Sequence, residues 1–129
     1  MKSPLWVPKA VVIAAHEELL DRFGGLSGIR DEGLLDSALA RPEHLWAYGQ
    51  PDLFDLAAAY AAGIVKNHPF IDGNKRSGFI AAYTFLESNG ETFTAPEEEV
   101  VLRTLALAAG RIRERQYVAW LRKSCARKS

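Results

Sequence analysis

The stretch HPFIDGNKR, residues 68–76, places a histidine, a carboxylate, an amide and two cations within a few positions of one another. His68 closes an apolar segment, and Pro69 prevents that segment from continuing as regular helix because it lacks an N–H donor. Gly73 and Asn74 then give a flexible, polar start to the next helical segment. The sequence therefore predicts a helix, a short loop and a second helix.

The start of that second helix is predicted to bind an anion. Its first N–H groups have no partner within the helix and lie at the positive end of the helix dipole, so a phosphate suits them. Lys75 adds a point charge, and Arg76 can hold phosphate oxygens with two parallel hydrogen bonds. Gly73 lets the backbone approach a phosphate closely, and Asn74 offers an amide donor. We predict that these four residues bind a phosphate group.

His68 and Asp72 complete the predicted catalytic set with Lys75 and Arg76. A histidine has an ordinary pKa of about 6.5, so the His68 ring can accept a hydroxyl proton near neutral pH. Asp72 supplies a hard oxygen ligand, which Mg²⁺ takes together with substrate phosphates.

Two weaker interpretations of this stretch stay open. One is a transition-metal pair of His68 and Asp72, which Pro69 disfavours; the other is a non-catalytic loop that docks phosphate or a partner.

The same stretch resembles the signature of the Fic/Doc family, whose members move part of a nucleotide triphosphate onto a protein hydroxyl. The Fic branch has Gly after the Asn and a second Arg three positions beyond the first, where this chain has Lys75 and Phe79. These departures resemble the Doc branch, the death-on-curing toxins of toxin–antitoxin systems. The resemblance implies an all-helical kinase that uses ATP and Mg²⁺ to phosphorylate a Thr or Ser of elongation factor Tu, which blocks translation. It also implies that the nucleotide-binding residues are Gly73, Asn74, Lys75 and Arg76.

The resemblance also implies a protein partner. Fic proteins are often inhibited by a helix with the pattern Ser/Thr-x-x-x-Glu-Gly/Asn, and no such run occurs in this sequence. A separate antitoxin protein is therefore expected to inhibit the enzyme. The alternative enzymatic function is AMP transfer to a protein hydroxyl by a Fic-type mechanism.

Composition indicates one soluble domain over residues 1–129, since 48% of the residues are hydrophobic and charges of both signs are mixed. Sixteen basic and 16 acidic residues cancel, so the excess of basic charge typical of nucleic-acid binding is missing. Cys125 is the only cysteine, which excludes an internal disulfide and fits a reducing compartment. We find no apolar run long enough to span a membrane, and we expect a cytoplasmic protein.

Apolar periodicity predicts an all-α fold, a compact bundle of about six helices with the fourth as its buried centre. The first covers residues 8–23, and the second is capped by Asp31 and stops before Pro42. The third runs from a cap at Asp52 to His68, and the fourth covers residues 74–89. After a short extended segment at residues 91–94, Thr94 and Glu97 form a capping box for the fifth, and the sixth covers residues 114–123. Gly78, inside the fourth helix, predicts close approach of a neighbouring backbone.

Two features outside the signature have competing interpretations. Residues 41–52 are predicted to form a loop, and Trp46 and Tyr48 within it either dock the target, as a flap does in Fic/Doc proteins, or fold back onto the core. His16 lies on the apolar stripe of the first helix, where a buried, hydrogen-bonded histidine is favoured over an active-site residue. It is therefore left out of the catalytic set.

Overall fold

The computed structural model describes residues 2–128. They form six helices, α1 Lys9–Phe23, α2 Glu32–Tyr48, α3 Leu53–Asn67, α4 Asn74–Ser88, α5 Glu97–Ala108 and α6 Glu114–Lys123, and two strands, β1 Glu91–Phe93 and β2 Cys125–Arg127. The strands pair antiparallel, with Glu91 opposite Arg127. The predicted six-helix, all-α class is confirmed. Within the described residues, every helix is too short or too polar to cross a membrane.

The buried centre of the bundle is α3, and α4 lies beside it. Ten of the 15 residues of α3 are buried, and the helix packs against α2, α4 and α6. The prediction that the fourth helix is the centre is therefore wrong in this detail. The alanine-rich sequence of α3 lets neighbouring helices approach from several sides, whereas α4 leaves Lys75, Arg76 and Tyr83 exposed.

Small residues allow the helices on either side of the signature to pack closely. A Cβ atom at Gly78 of α4 would lie 2.7 Å from Cγ1 of Val65 and 3.1 Å from the carbonyl oxygen of Ala61, both on α3. The predicted close approach at Gly78 is confirmed. Because this contact lies near the end of α3 and the start of α4, it fixes the two helix ends that the signature connects.

Helix α2 continues through Pro42 to Tyr48, so the predicted stop before Pro42 and the predicted loop at residues 41–52 are wrong. A proline inside a helix costs about 3 kcal/mol, because it removes a hydrogen bond and crowds the preceding turn. Pro42 is buried on the same side of α2 as Ala38, which packs against Gly63 of α3. Tertiary packing thus stabilises a helix that local sequence rules end early.

The predicted cap of α5 is also wrong, while the extended segment before it is confirmed as β1. The residue preceding α5 is Pro96, with no side-chain cap, and the Thr94 hydroxyl instead donates to the carbonyl of Ser124 at 3.0 Å. The carboxyl-terminal tail forms β2, and Lys128 makes an ion pair with Glu87 at 3.1 Å. Thr94 does not cap α5, because its hydroxyl bonds to this tail instead.

Candidate active site

Residues 68–76, called here the signature loop, connect the end of α3 to the start of α4. His68 follows the last residue of α3 and has left-handed backbone angles, φ 55° and ψ 52°. Among residues 2–128 it is the only non-glycine residue with positive φ. Its N–H still donates to the carbonyl of Ile64, while its side chain is exposed. The loop therefore exposes the predicted base to solvent, and the backbone of that residue has a left-handed conformation.

Asn74 ties the two ends of the signature loop together. Its Oδ1 accepts the Phe70 N–H at 2.9 Å, and its Nδ2 donates to the Phe70 carbonyl at 2.9 Å. Nδ2 also lies 3.1 Å from Nδ1 of His68. Asn74 is 3% exposed, and its amide is fully engaged inside the loop. A phosphate contact from this side chain remains a prediction, and it requires at least one of these hydrogen bonds to open.

The first turn of α4 has the free backbone donors that the sequence predicts. Gly73 precedes the helix with a left-handed φ of 76°, and the first intrahelical bond runs from Ser77 N–H to Gly73 O at 3.0 Å. The N–H groups of Asn74, Lys75 and Arg76 therefore have no intrahelical acceptor. Both Lys75 and Arg76 are exposed. The structure thus brings two cations and three N–H groups to one helix turn.

Asp72 is held by backbone donors on either side. Its Oδ1 accepts the N–H of Gly73 at 2.9 Å, and its Oδ2 accepts the N–H of Leu26 at 3.3 Å. Gly25 is required beside it, because a Cβ atom there would lie 2.8 Å from Oδ2. The carboxylate is exposed and each oxygen keeps a free lone pair. One such carboxylate fits Mg²⁺, which completes its octahedron with substrate phosphates and water.

The segment between α1 and α2, residues 24–31, forms one wall of the site, and sequence reasoning did not assign it a role. Ile29 pairs with Phe70 in an antiparallel bridge, and the N–H of Ile71 donates to the carbonyl of Gly28 at 3.1 Å. The Arg30 side chain donates to two carbonyls at the end of α3. Glycines in this segment indicate a turn, but they do not show which part of the chain it contacts.

His16 lies directly beneath the signature loop. Its ring stacks on Phe70 with centroids 3.7 Å apart, and its Nδ1 lies 2.8 Å from Oγ of Ser77. A Cβ atom at Gly73 would lie 3.3 Å from its Cε1. Burial lowers the pKa of His16, against the opposing effects of nearby Glu17 and Asp72. Its Nε2 has no hydrogen-bond partner within residues 2–128. The expected buried histidine is present, and it supports the loop that carries the site.

Trp46 and Tyr48 lie far from the signature loop. Both belong to the last turns of α2, where Trp46 packs against the core and Tyr48 is 90% exposed. The other end of α2 contacts the loop, because Asp31 N–H donates to the carbonyl of Pro69 at 3.0 Å. A helix of 17 residues is about 25 Å long. The structure does not bring these aromatic residues to the site, so the docking role gains no support from their placement.

The chain is similar in sequence to known proteins. The sequence model of the Fic/DOC family matches residues 6–86, which include α1 to α3, the whole signature loop and all but the last two residues of α4. A protein named Toxin Doc from Mycolicibacterium smegmatis is 47% identical over 76 residues, 57% of this chain and 58% of that relative. A protein named Protein kinase doc from Escherichia phage P1 is 36% identical over 88 residues, 67% of this chain and 70% of that relative. The chain belongs to the Fic/DOC family.

Proposed function

We propose that this protein is the toxin of a toxin–antitoxin system and acts as a Doc-type kinase. It transfers the γ-phosphoryl group of ATP to a Ser or Thr hydroxyl of a protein, with elongation factor Tu as the proposed target. The names of the two relatives, Toxin Doc and Protein kinase doc, support this function. The structural observation that carries it is the environment of Phe79, the position at which the Fic branch has its second arginine.

Phe79 belongs to an aromatic cluster and not to the nucleotide site. Its ring lies 5.2 Å from that of Phe93, 6.1 Å from that of Tyr83 and 6.5 Å from that of Trp120, measured between centroids. The side chain is half-buried in these contacts. The position therefore provides no cation to orient a triphosphate for AMP transfer. With Lys75 in place of glycine, this favours an orientation that directs the terminal phosphoryl group toward His68.

In the proposed reaction, His68 accepts the proton of the target hydroxyl, and the hydroxyl oxygen forms a bond to the γ-phosphorus. The bond between the γ-phosphorus and the bridging oxygen breaks, and ADP leaves with that electron pair. Lys75, Arg76 and the free N–H groups of α4 stabilise the charge on the phosphate oxygens. Asp72 would hold Mg²⁺, which neutralises phosphate charge when bound. In this reaction, the positioning of the reacting groups and the electrostatic stabilisation of the phosphate thus supply most of the rate enhancement.

The surface around Asp72 suits a protein substrate. Leu26 and Ile71 are 68% and 47% exposed, respectively. Phe23, whose ring centroid lies 4.2 Å from the guanidinium carbon of Arg76, is 53% exposed. The Leu26 N–H contacts the Asp72 carboxylate, and Ile71 is the neighbour of Asp72 in the chain. Exposed apolar side chains beside a polar site are typical of surfaces that bind proteins. This arrangement supports transfer to a protein hydroxyl over transfer to a small polar molecule.

Labelled ATP distinguishes the candidate reactions. Purified protein is incubated with Mg²⁺, elongation factor Tu and ATP labelled at either the α- or the γ-phosphate. We expect label on the target from γ-labelled ATP only, and none with His68→Ala. Label from the α-phosphate and not from the γ-phosphate would show AMP transfer and overturn the proposal. Nucleotide binding without transfer to any tested protein would favour a non-catalytic docking module.

Lys75 is proposed to select the reaction by orienting the triphosphate. Lys75→Gly removes the flexible cation and restores the residue of the Fic branch at this position. We expect loss of kinase activity with little gain of AMP transfer, because Phe79 remains in its aromatic cluster. Gel assays with both labels measure the two activities together. Efficient AMP transfer by the single variant would show that Phe79 does not limit the reaction.

The toxin function is tested by expression in a bacterial host. Wild-type protein should stop growth, and co-expression of its antitoxin should restore it. His68→Ala at matched soluble levels is the control, since an exposed side chain at this position can be truncated without loss of the core. Normal growth at high levels of soluble wild-type protein would contradict the toxin function, whatever the outcome of the labelling experiment.

A further inference from the structure

Arg30 contacts the backbone on both sides of His68. Its Nε donates to the His68 carbonyl at 2.7 Å, and its Nη2 donates to the Asn67 carbonyl at 2.9 Å. Carbonyls at the end of a helix lack intrahelical donors and lie at the negative end of the dipole, so a guanidinium suits them. Among residues 2–128, no carboxylate forms an ion pair with Arg30. Its polar partners are these two carbonyls.

The two carbonyls belong to the two peptide groups that flank the Cα atom of His68. The Asn67 carbonyl is in the peptide plane before His68, and the His68 carbonyl is in the plane after it. The relative orientation of these planes is set by φ and ψ of His68. A rigid guanidinium fork that bonds to both planes therefore fixes both angles. It also fixes the direction of the Cα–Cβ bond from which the imidazole extends.

His68 needs such support because its left-handed backbone is strained for a residue with a side chain. Glycine would remove the strain, but it would also remove the imidazole. We propose that Arg30 is a positioning residue for His68, whose guanidinium holds the left-handed backbone that presents the base to the target hydroxyl. This proposal rests on the proposed function, since it takes His68 as the base.

Substitution of Arg30 can remove the two guanidinium hydrogen bonds while the segment between α1 and α2 stays bound to the signature loop. The backbone N–H groups of Arg30 and Asp31 both donate to the carbonyl of Pro69, at 2.7 and 3.0 Å. These hydrogen bonds do not involve the side chain. In Arg30→Met the segment therefore stays docked, while the two bonds that flank His68 are lost.

The kinetic test compares kcat with the KM for ATP in the labelling assay with elongation factor Tu. Arg30→Met should lower kcat roughly 10- to 100-fold, the loss expected when a reacting group is slightly misplaced. The KM for ATP should change less than about twofold, because the phosphate donors lie on α4. Arg30→Lys should recover part of kcat, since an ammonium can reach one carbonyl but cannot bridge both as the fork does.

Arg115→Met is the matched control, because Arg115 is an exposed arginine of α6 and its loss changes the net charge equally. We expect wild-type kcat and KM for this variant. Thermal unfolding of all variants checks that the fold is retained. Wild-type kcat in a folded Arg30→Met protein, or a rise in KM without loss of kcat, would overturn the proposal. If Arg30→Met does not fold, Arg30→Lys serves as the test instead. The proposal is overturned if Arg30→Lys has the wild-type kcat although the backbone of His68 is disordered.

A second measurement does not depend on turnover. In the nucleotide-free protein, the coupling constant between the amide proton and the α-proton of His68 reports φ, and its ¹³Cα shift reports the local backbone. Wild-type protein and Arg115→Met should show the left-handed values, and Arg30→Met should show averaged ones. Unchanged values in Arg30→Met would overturn the proposal. If wild-type protein transfers no phosphoryl group, the proposed function fails, and the coupling constant still decides whether Arg30 fixes the His68 backbone.

Discussion

The two ends of the signature loop share a backbone conformation but are stabilised in different ways. The base end, residues 68–70, begins with His68 at φ 55°, and the phosphate end, residues 73–76, begins with Gly73 at φ 76°. At the base end, hydrogen bonds from Arg30 and Asn74 surround a strained residue. At the phosphate end, a residue without a side chain packs over the buried ring of His16.

The difference fits what each end would present in the proposed reaction. A base requires a side chain, so the base end accepts a strain of about 1–3 kcal/mol and offsets it with polar contacts. A phosphate site requires exposed N–H groups, so glycine serves there without strain. We therefore expect substitutions at the base end to change kcat, and substitutions at the phosphate end to change the KM for ATP.

The largest expected effect is at the base end. His68→Ala should lower the single-turnover rate of transfer by roughly 10²- to 10⁴-fold, because it removes the proposed general base and the signature has no second imidazole. ATP binding should be nearly unchanged. Rapid-quench rates and equilibrium nucleotide binding measure the two quantities, and circular dichroism checks the fold. A folded variant with the wild-type rate would remove His68 from the reaction.

At the phosphate end, Gly73→Ala should raise the KM for ATP about tenfold, equivalent to a loss of about 1.4 kcal/mol in binding. Alanine at this φ is strained by about 1–2 kcal/mol, and its Cβ atom would lie 3.3 Å from Cε1 of His16. Gly110→Ala is the control. Gly110 has φ 74°, and among the described residues no atom other than those of Gly110 and its chain neighbours lies within 4 Å of an added Cβ. It should lose similar stability without a change in KM. Equal KM values in both variants would contradict the prediction.

A smaller effect is expected for His16→Phe, which keeps an aromatic ring against Phe70 but loses the bond to Ser77. One buried hydrogen bond contributes about 0.5–1.5 kcal/mol, so the KM for ATP should rise roughly two- to tenfold with little change in kcat. Ser77→Ala removes the same bond from the other side. If the bond is what matters, the double variant has the KM of either single variant. Additive increases would show that each residue acts separately.

The smallest kinetic effect is expected far from the loop. Thr104→Val removes the buried hydrogen bond between the hydroxyls of Thr104 and Tyr117, which are 2.9 Å apart. We expect a loss of about 1–3 kcal/mol in the free energy of unfolding, because the Tyr117 hydroxyl loses its partner. Both kcat and KM should be unchanged. Urea unfolding and steady-state kinetics test this, and an altered kcat would show that the α5–α6 contact influences the loop.

The residues of the signature could be found from the sequence because they are contiguous. Their supports could not be found in this way. Arg30 and the residue it bonds, His68, are 38 positions apart, and His16 and Ser77 are 61 apart. Local rules describe which residues start or end a helix, but they do not show which distant segment packs beside it. The motif therefore predicts the chemistry of the site, but it does not predict the groups that position the motif.

The errors in the fold have a related cause. Pro42 was expected to end α2 because the local cost of a proline is large, but burial against α3 outweighs that cost. Thr94 has the right spacing from Glu97 for a capping box, yet it bonds to the carbonyl of Ser124 in the tail. In both cases a tertiary contact decides the local conformation, and a single sequence does not reveal that contact.

The hydrogen bonds of Asn74 have a consequence for the tautomer of His68. Because Asn74 Oδ1 accepts the Phe70 N–H, the amide cannot be rotated by half a turn, and the atom facing His68 Nδ1 is the donor Nδ2. Neutral His68 therefore has its hydrogen on Nε2, and its lone pair at Nδ1 is already engaged by Asn74. A hydroxyl that gives its proton to this ring must first take the place of the Asn74 amide. Nitrogen-15 shifts of the ring measure the tautomer directly, and a hydrogen on Nδ1 in the free protein would contradict this order of events.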